Sequence, residues 1–212
     1  MYVIQLMGGL GNQLFEYSAA YVAAKHKLQN LKIDKRYYLD TSKRFHRFQY
    51  RPYALSLFNI PSEEATFQEI NQFVLPRFRN KYLYHLLKNL HRDHNVYNEK
   101  VLATYNDLIN ISTDDAYLTG YFQKYEYFSN HLDEIKRIFT FKDPLPESYN
   151  EVIQAISQTD NSICIVFRRG DYVGHPTLDI INLEFYYQAI DILRSFINDI
   201  NIFVFSDDIP WC

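Results

Sequence analysis

A rhythm that occurs twice limits most sharply what this chain can fold into. It runs apolar strand, turn, amphipathic helix, second strand. The first instance opens the chain. Residues 2–7 read as a short buried strand, and Gly8-Gly9-Leu10-Gly11-Asn12-Gln13 follows as a loop. A helix is predicted from about Gln13 to Lys27, because Leu14, Tyr17, Ala20, Tyr21 and Ala24 recur at intervals of three and four. Leu31-Lys32-Ile33-Asp34 reads as the next strand. In the second instance, Ser162 to Phe167 is a continuous apolar strand of the kind expected when both faces are covered. A loop runs over 168–179, and a helix follows over Leu183 to Phe196, with Phe185, Ala189, Ile192, Leu193 and Phe196 facing inward. Asn201-Ile202-Phe203-Val204-Phe205 is the closing strand, with Ser206-Asp207-Asp208 at its C-terminal end. Such units specify an α/β fold with parallel pairing.

Between the two instances the pattern is looser. Residues 35–65 are irregular, broken by Pro52 and Pro61. Helices are predicted over 66–75 and 81–92, a short strand over Tyr117 to Tyr121, and a helix over Glu126 to Phe139 with Phe128, Leu132, Ile135 and Ile138 on one side. Lys142-Asp143-Pro144-Leu145-Pro146 interrupts the pattern, which divides the chain into domains 1–145 and 146–212. Two strands and one helix bury too little apolar surface to stand alone, so further strands and helices are expected after Cys212.

A net charge of −3 argues against a nucleic-acid binder, which is usually basic overall. Two stretches do run basic, Lys35 to Arg51 and Arg77 to Arg92. They read as solvated faces; the sharper reading is peripheral contact with phospholipid headgroups by Coulomb attraction. Aromatic residues make up 17% of the chain, so tyrosines beyond those needed for a core could offer ring faces to sugars. Cys164 lies in an apolar run and reads as a buried reduced thiol, and neither it nor Cys212 belongs to a disulfide framework or a CxxC metal site. The N-terminus does not have the pattern of a signal peptide, and no apolar run approaches the ~20 residues that span a bilayer. The expected location is the cytoplasm, with any membrane contact at the inner face. The closest histidine pair, His91 and His94, lies in a basic segment with no third ligand, and no metal is expected.

Three loops could carry chemistry. Arg168-Arg169-Gly170-Asp171-Tyr172 follows a buried strand, where open α/β sheets bind ligands. Two adjacent guanidinium groups there can fork onto a diphosphate, and Gly170 lets the backbone come close. Asp171 could orient an arginine or accept from a ligand. A salt-bridged surface turn is the alternative. Ser206-Asp207-Asp208 ends a strand one helix later, so the two loops should be neighbours on one sheet edge. Its carboxylates could accept from guanine or ribose, hold Mg²⁺, or simply cap the next helix. The third loop, Gly8 to Gln13, has an anion-binding arrangement, with the amides of Asn12 and Gln13 suited to sugar hydroxyls or phosphate oxygens. With Asp34 roughly 20 residues on, it also partly matches a dinucleotide fingerprint, although Leu14 stands at the third glycine position.

Four segments, in order along the chain, together resemble the bacterial α-1,2-fucosyltransferases. They are Met7-Gly8-Gly9-Leu10-Gly11-Asn12-Gln13-Leu14-Phe15, Leu118-Thr119-Gly120-Tyr121-Phe122-Gln123, Phe167-Arg168-Arg169-Gly170-Asp171-Tyr172-Val173 and Phe205-Ser206-Asp207-Asp208-Ile209-Pro210-Trp211-Cys212. The resemblance implies a GT-B-like fold of two Rossmann-like domains, the C-terminal one incomplete here. It also implies a GDP-fucose donor on the C-terminal side, and a galactose-terminated glycan acceptor on the N-terminal side. It implies Arg168 at the diphosphate, Asp207 at the guanine, and Asn12 with Gly9 and Gly11 near the diphosphate and sugar. Arg169 and Ser206 complete the expected donor contacts. The implied reaction is inverting and metal-independent, with Arg168 stabilising the departing GDP and Asp171 the nearest candidate base. This sequence departs from the family at Val166, where a histidine often stands two residues before the first arginine. The family also continues past the aspartate motif with a segment rich in Asn, Ser, Phe and Trp. The rival readings are a nicotinamide-binding oxidoreductase built on Gly9, Gly11 and Asp34, and a non-catalytic glycan- or nucleotide-binding remnant.

Overall fold

The computed structural model describes residues 1–39, 51–74, 95–170, 172–175 and 182–212. The helix expected over 81–92, His91, His94, Asp171 and most of both basic stretches lie outside the described residues. The chain divides into two compact units, Met1–Asp143 and Pro144–Cys212.

The first unit is built on a five-stranded sheet. Its strands are β1 (Tyr2–Gln5), β2 (Leu31–Asp34), β3 (Glu63–Glu64), β4 (Val96–Asn98) and β5 (Ala116–Thr119), in spatial order β3-β2-β1-β5-β4. Every pairing is parallel, with Tyr2 opposite Leu31 on one side of β1 and opposite Ala116 on the other. Parallel neighbours need crossovers, and α1 (Leu10–His26) supplies the first. The helix starts at Leu10, three residues before the sequence-based expectation, because Gly9 takes an extended N-cap conformation and leaves the following residues helical. Strand alternation then sorts the side chains. Tyr2, Ile4, Leu31, Ile33, Ala116 and Leu118 join α1 in the main core, while Val3 and Tyr117 face Ile70 and Phe73 on the other side. β1 is therefore closed on both faces, and Tyr2, Val3 and Ile4 have no solvent exposure.

The small residues Ala19, Ala20, Ala23 and Ala24 let α1 lie close to its neighbours, and all four are buried. Its outer side meets α5 (Leu132–Ile138), where Tyr21 donates to Glu134 at 2.7 Å and Lys25 pairs with the same carboxylate. The helix expected over Glu126 to Phe139 is broken: two 3₁₀ turns, Tyr125–Tyr127 and Ser129–His131, precede α5. They bring Tyr127 and Phe128 into the core, which one straight helix presenting a single stripe could not do. Short helices α2 (Arg36–Leu39), α3 (Phe67–Asn71) and α4 (Tyr105–Ile109) complete the unit. Both α3 and α4 begin with reciprocal capping boxes, Thr66 with Glu69 and Thr104 with Asp107.

The second unit holds α6 (Asn150–Ser157), β6 (Ser162–Phe167), α7 (Leu183–Phe196) and β7 (Asn201–Ser206). β6 and β7 pair in parallel over their whole length, from Ser162 opposite Asn201 to Phe167 opposite Ser206. Their burial differs from the sequence expectation. β6 alternates half-buried and exposed residues, so it is covered on one face only, and Cys164 is an exposed free thiol. On α7, Tyr186, Ala189, Ile190 and Leu193 are half-buried, whereas Phe185, Ile192 and Phe196, expected inward, are exposed. The helix carries apolar residues on more than one face, so periodicity alone could not say which face meets the sheet. No helix among the described residues is long and apolar enough to cross a membrane.

Candidate functional site

Register brings the loops of the second unit together. Phe167 lies opposite Ser206, so the chain leaves two adjacent parallel strands at the same level. Arg168-Arg169-Gly170 and Asp207-Asp208 are thus side by side at the carboxyl ends of their strands. The Asp207 carboxylate holds the arginine loop directly: Oδ1 accepts from the Arg169 backbone N–H at 2.8 Å and Oδ2 from the Gly170 N–H at 3.1 Å. Asp208 Oδ2 accepts from Arg169 Nε at 2.9 Å, and the Arg169 guanidinium lies 3.9 Å from the centre of the Trp211 ring. Ser206 Oγ accepts from the Asp208 N–H at 2.9 Å, which tightens the acidic turn. A turn follows Gly170, with Val173 N–H donating to the Arg169 carbonyl at 2.8 Å, and the Arg168 guanidinium stacks over Tyr172 at 4.4 Å.

Each arginine therefore has a distinct setting. Arg169 is braced by a carboxylate and an indole, so its orientation belongs to the loop. Arg168 has its guanidinium stacked on the aromatic face of Tyr172. Asp207 is engaged with the backbone amides of Arg169 and Gly170, and Asp208 with the Arg169 side chain, contacts that brace the loop. Among the described residues, no group of three or more His, Cys, Asp or Glu side chains could hold a metal ion. Below the loops, Phe167 packs against Tyr186 at 4.4 Å and against Trp211 at 5.5 Å. Tyr186 donates to the Val166 carbonyl at 3.3 Å. Tyr172, Tyr186 and Trp211 were not singled out by sequence reasoning; an aromatic within a few residues of each loop was the available signal.

Gly9, Gly11 and Asn12 gather in the first unit, at the carboxyl end of β1. Gly8 is left-handed, with φ 68°, which favours glycine, and a Cβ there would displace the Asn12 side-chain amide. At Gly11 a Cβ would meet nothing, so that glycine is not demanded by packing. Asn12 Oδ1 accepts from Gln123 Nε2 at 2.7 Å, linking the turn after β1 to the turn after β5. β1 and β5 are neighbours reached from opposite directions along the chain, the kind of crevice where open α/β sheets take ligands. Tyr121 stands half-exposed at its edge. The Gln13 amide, expected to face a ligand, is instead fully buried and internally satisfied. Its Nε2 donates to the carbonyls of Gly8 and Pro52 at 3.1 and 3.0 Å, and its Oε1 accepts from Ala54 N–H at 2.8 Å.

Asp34 is also committed to structure. Its buried carboxylate takes Arg36 Nη2 at 2.9 Å and Tyr117 OH at 2.7 Å. A ribose diol has no place there, which removes the residue on which the nicotinamide reading depended. Glu16 is the carboxyl that sequence reasoning missed. It is fully buried, with Oε2 accepting from Met7 N–H at 2.8 Å and Oε1 without a partner among the described residues. Burial, and then the nearby Glu99 carboxylate, push its pKa up to about 9 against the opposing pull of the Met7 N–H. An acidic residue on the inward stripe of an apolar helix was the signal. An open hollow of about 610 Å³ beside β4, lined in part by Tyr97, Lys100 and Asp107, touches neither the glycine turn nor the arginine loop.

An α/β chain that sets arginines and acidic turns at the carboxyl ends of parallel strands fits a glycosyltransferase. Residues 1–212 match glycosyl transferase family 11, and the chain belongs to that family. It is the family that the four sequence segments resemble. Among its relatives is the O-antigen biosynthesis glycosyltransferase WbnK of Escherichia coli, 28% identical over 225 residues that cover 97% of this chain and 72% of the relative. Another is an alpha-1,2-colitosyltransferase of Escherichia coli, 27% identical over 221 residues that cover 99% of this chain and 70% of the relative.

Proposed function

We propose that this protein transfers L-fucose from GDP-β-L-fucose to the 2-hydroxyl of a terminal galactose, with inversion to an α-linkage. The observation that carries this reading is the arginine loop, braced by Asp207 and Asp208 at the ends of two adjacent parallel strands. The two units are read as the halves of a GT-B-like fold, the second taking the donor and the first the acceptor. As the glycosidic bond to GDP breaks, negative charge grows on the diphosphate and the sugar becomes oxocarbenium-like. Arg168 meets that charge with fixed, forked donors, while Arg169 and its partners keep the loop in shape. The reaction is read as metal-independent, with Arg168 supplying the leaving-group stabilisation. Each carboxylate oxygen has two acceptor sites, so Asp207 can hold the loop and still accept from guanine. Gly9, Gly11 and Asn12, in the first unit, offer backbone and amide groups to sugar hydroxyls or phosphate oxygens. Asp171 is proposed as the base or as an orienting group for the arginines.

The second relative supports one variant of this reading, a donor carrying colitose, which lacks the 3-hydroxyl of fucose. Incubating the protein with lactose and either GDP-fucose or GDP-colitose, with the product linkage read by NMR, separates the two. An α-1,2-fucosylated product supports the proposal. Exclusive use of GDP-colitose replaces the donor and keeps the mechanism. Transfer from neither, with no binding of GDP, overturns the reading and leaves a non-catalytic glycan-binding protein.

A further inference from the structure

Glu16 has no role in the transfer described above, yet it lies under the glycine turn. It is in the second turn of α1; its buried carboxyl accepts from the Met7 N–H beyond β1 and is electrostatically coupled to Tyr38 of α2 and to Glu99 and Tyr121 in the turns after β4 and β5. The titratable groups among these are acidic or phenolic, and the Arg51 side chain lies against Gly9 of the same turn. Three groups hold the turn from beneath. Glu16 Oε2 takes the Met7 N–H at 2.8 Å, and the Gly8 carbonyl accepts from Tyr38 OH and Gln13 Nε2, each at 3.1 Å. The left-handed Gly8 then passes the chain to Gly9 and Asn12.

Two roles are open to such a carboxyl, direct contact with substrate or action through the backbone. Oε1 has no solvent contact, so a substrate cannot reach it. Burial favours the acid form, and ionisation would set a second negative charge near Glu99.

Resting on the transferase reading, we propose that Glu16 is a positioning residue: through the Met7 N–H it sets the Gly8–Gly9 backbone, and with it Asn12 and the opening amides of α1, in the shape that receives the sugar end of the substrate. Replacement by glutamine keeps a carbonyl for the Met7 N–H and removes the ionisation. Replacement by leucine keeps bulk and leaves that N–H buried and unpaired.

The test compares the full chain with its Glu16→Gln and Glu16→Leu variants. Amide hydrogen exchange is followed over residues 7–13, and kcat and KM for GDP-fucose and lactose are followed through the alkaline range. Glu16→Gln should keep wild-type exchange and turnover near neutral pH and lose the alkaline decline that the parent shows near pH 9. Glu16→Leu should speed exchange at the turn and lower kcat about tenfold, with GDP affinity little changed. Wild-type exchange and kcat in Glu16→Leu would overturn the proposal. So would an unchanged alkaline limb in Glu16→Gln, which decides the matter even if the leucine variant does not fold. A parent chain that transfers nothing from GDP-fucose counts against the function proposed above; the exchange comparison then decides whether Glu16 sets the turn.

Discussion

The two units share a strand–loop–helix–strand rhythm and secure their loops by opposite means. In the first, β1 is closed on both faces, and its glycine turn is held by the buried groups Gln13, Glu16 and Tyr38. In the second, β6 is covered on one face, and its arginine loop is held by charged, partly exposed groups, Asp207, Asp208 and Arg169. Buried bonds hold a backbone rigidly and tolerate little chemical change. Exposed charged bonds are individually weaker and respond to ligands, salt and substitution. The first turn therefore reads as a fixed shape. The second reads as a charged loop whose balance an anionic ligand can alter.

The largest expected effect breaks the second loop. Arg168→Lys keeps the charge but loses the planar fork and the stacking on Tyr172. Losing one such preorganised donor costs about 2.7–4 kcal/mol of transition-state stabilisation, so kcat should fall by a factor on the order of 10²–10³ with the fold intact. Steady-state kinetics beside a melting curve measures both.

The next effect concerns the first turn and appears in stability rather than rate. In the folded chain Glu16 holds its proton up to about pH 9, whereas the free side chain loses it near 4.5. Between those values folding takes up a proton, so the native state loses stability as pH rises, by at most about 1.4 kcal/mol per pH unit. Glu16→Gln removes that dependence. Denaturant unfolding should show the variant gaining on the parent from pH 5 to pH 8, in the direction set by the raised pKa. A constant difference across that range would mean that Glu16 is not held as an acid.

A smaller effect separates loop support from direct contact. Asp207→Asn replaces one of two acceptor oxygens by a donor that faces a backbone N–H. GDP affinity should weaken about tenfold, measurable by calorimetry. The melting temperature should barely move, because the loop lies outside any closed core.

The frame of both units could be read from the residues because period and apolarity coincide there. The strands Tyr2–Gln5, Leu31–Asp34 and Ser162–Phe167 and the extent of the helix Leu183–Phe196 follow from their apolar runs and flanking turns. The neighbouring placement of the arginine and aspartate loops was also foreseeable, since one helical crossover connects their strands. What escaped depends on three dimensions. Which face of α7 is covered is decided by what packs on it, and Phe185, Ile192 and Phe196 are apolar yet exposed. That the Gln13 amide is spent on Gly8, Pro52 and Ala54 depends on a segment far along the chain. The raised pKa of Glu16 comes from its burial in the folded unit and then from Glu99, a residue far along the chain. The clamp of Asp207 on two backbone amides leaves no mark in residue identity beyond an acid at a strand end.

The central claim is that the arginine loop and its acidic neighbour form the nucleotide phosphate site. Amide hydrogen exchange of the full chain with and without GDP tests it most directly. Slower exchange across residues 168–175 and 206–209, lost in Arg168→Lys and not produced by NAD, is the predicted result. Protection confined to the Gly8–Gln13 turn, or an equal response to NAD, would contradict it.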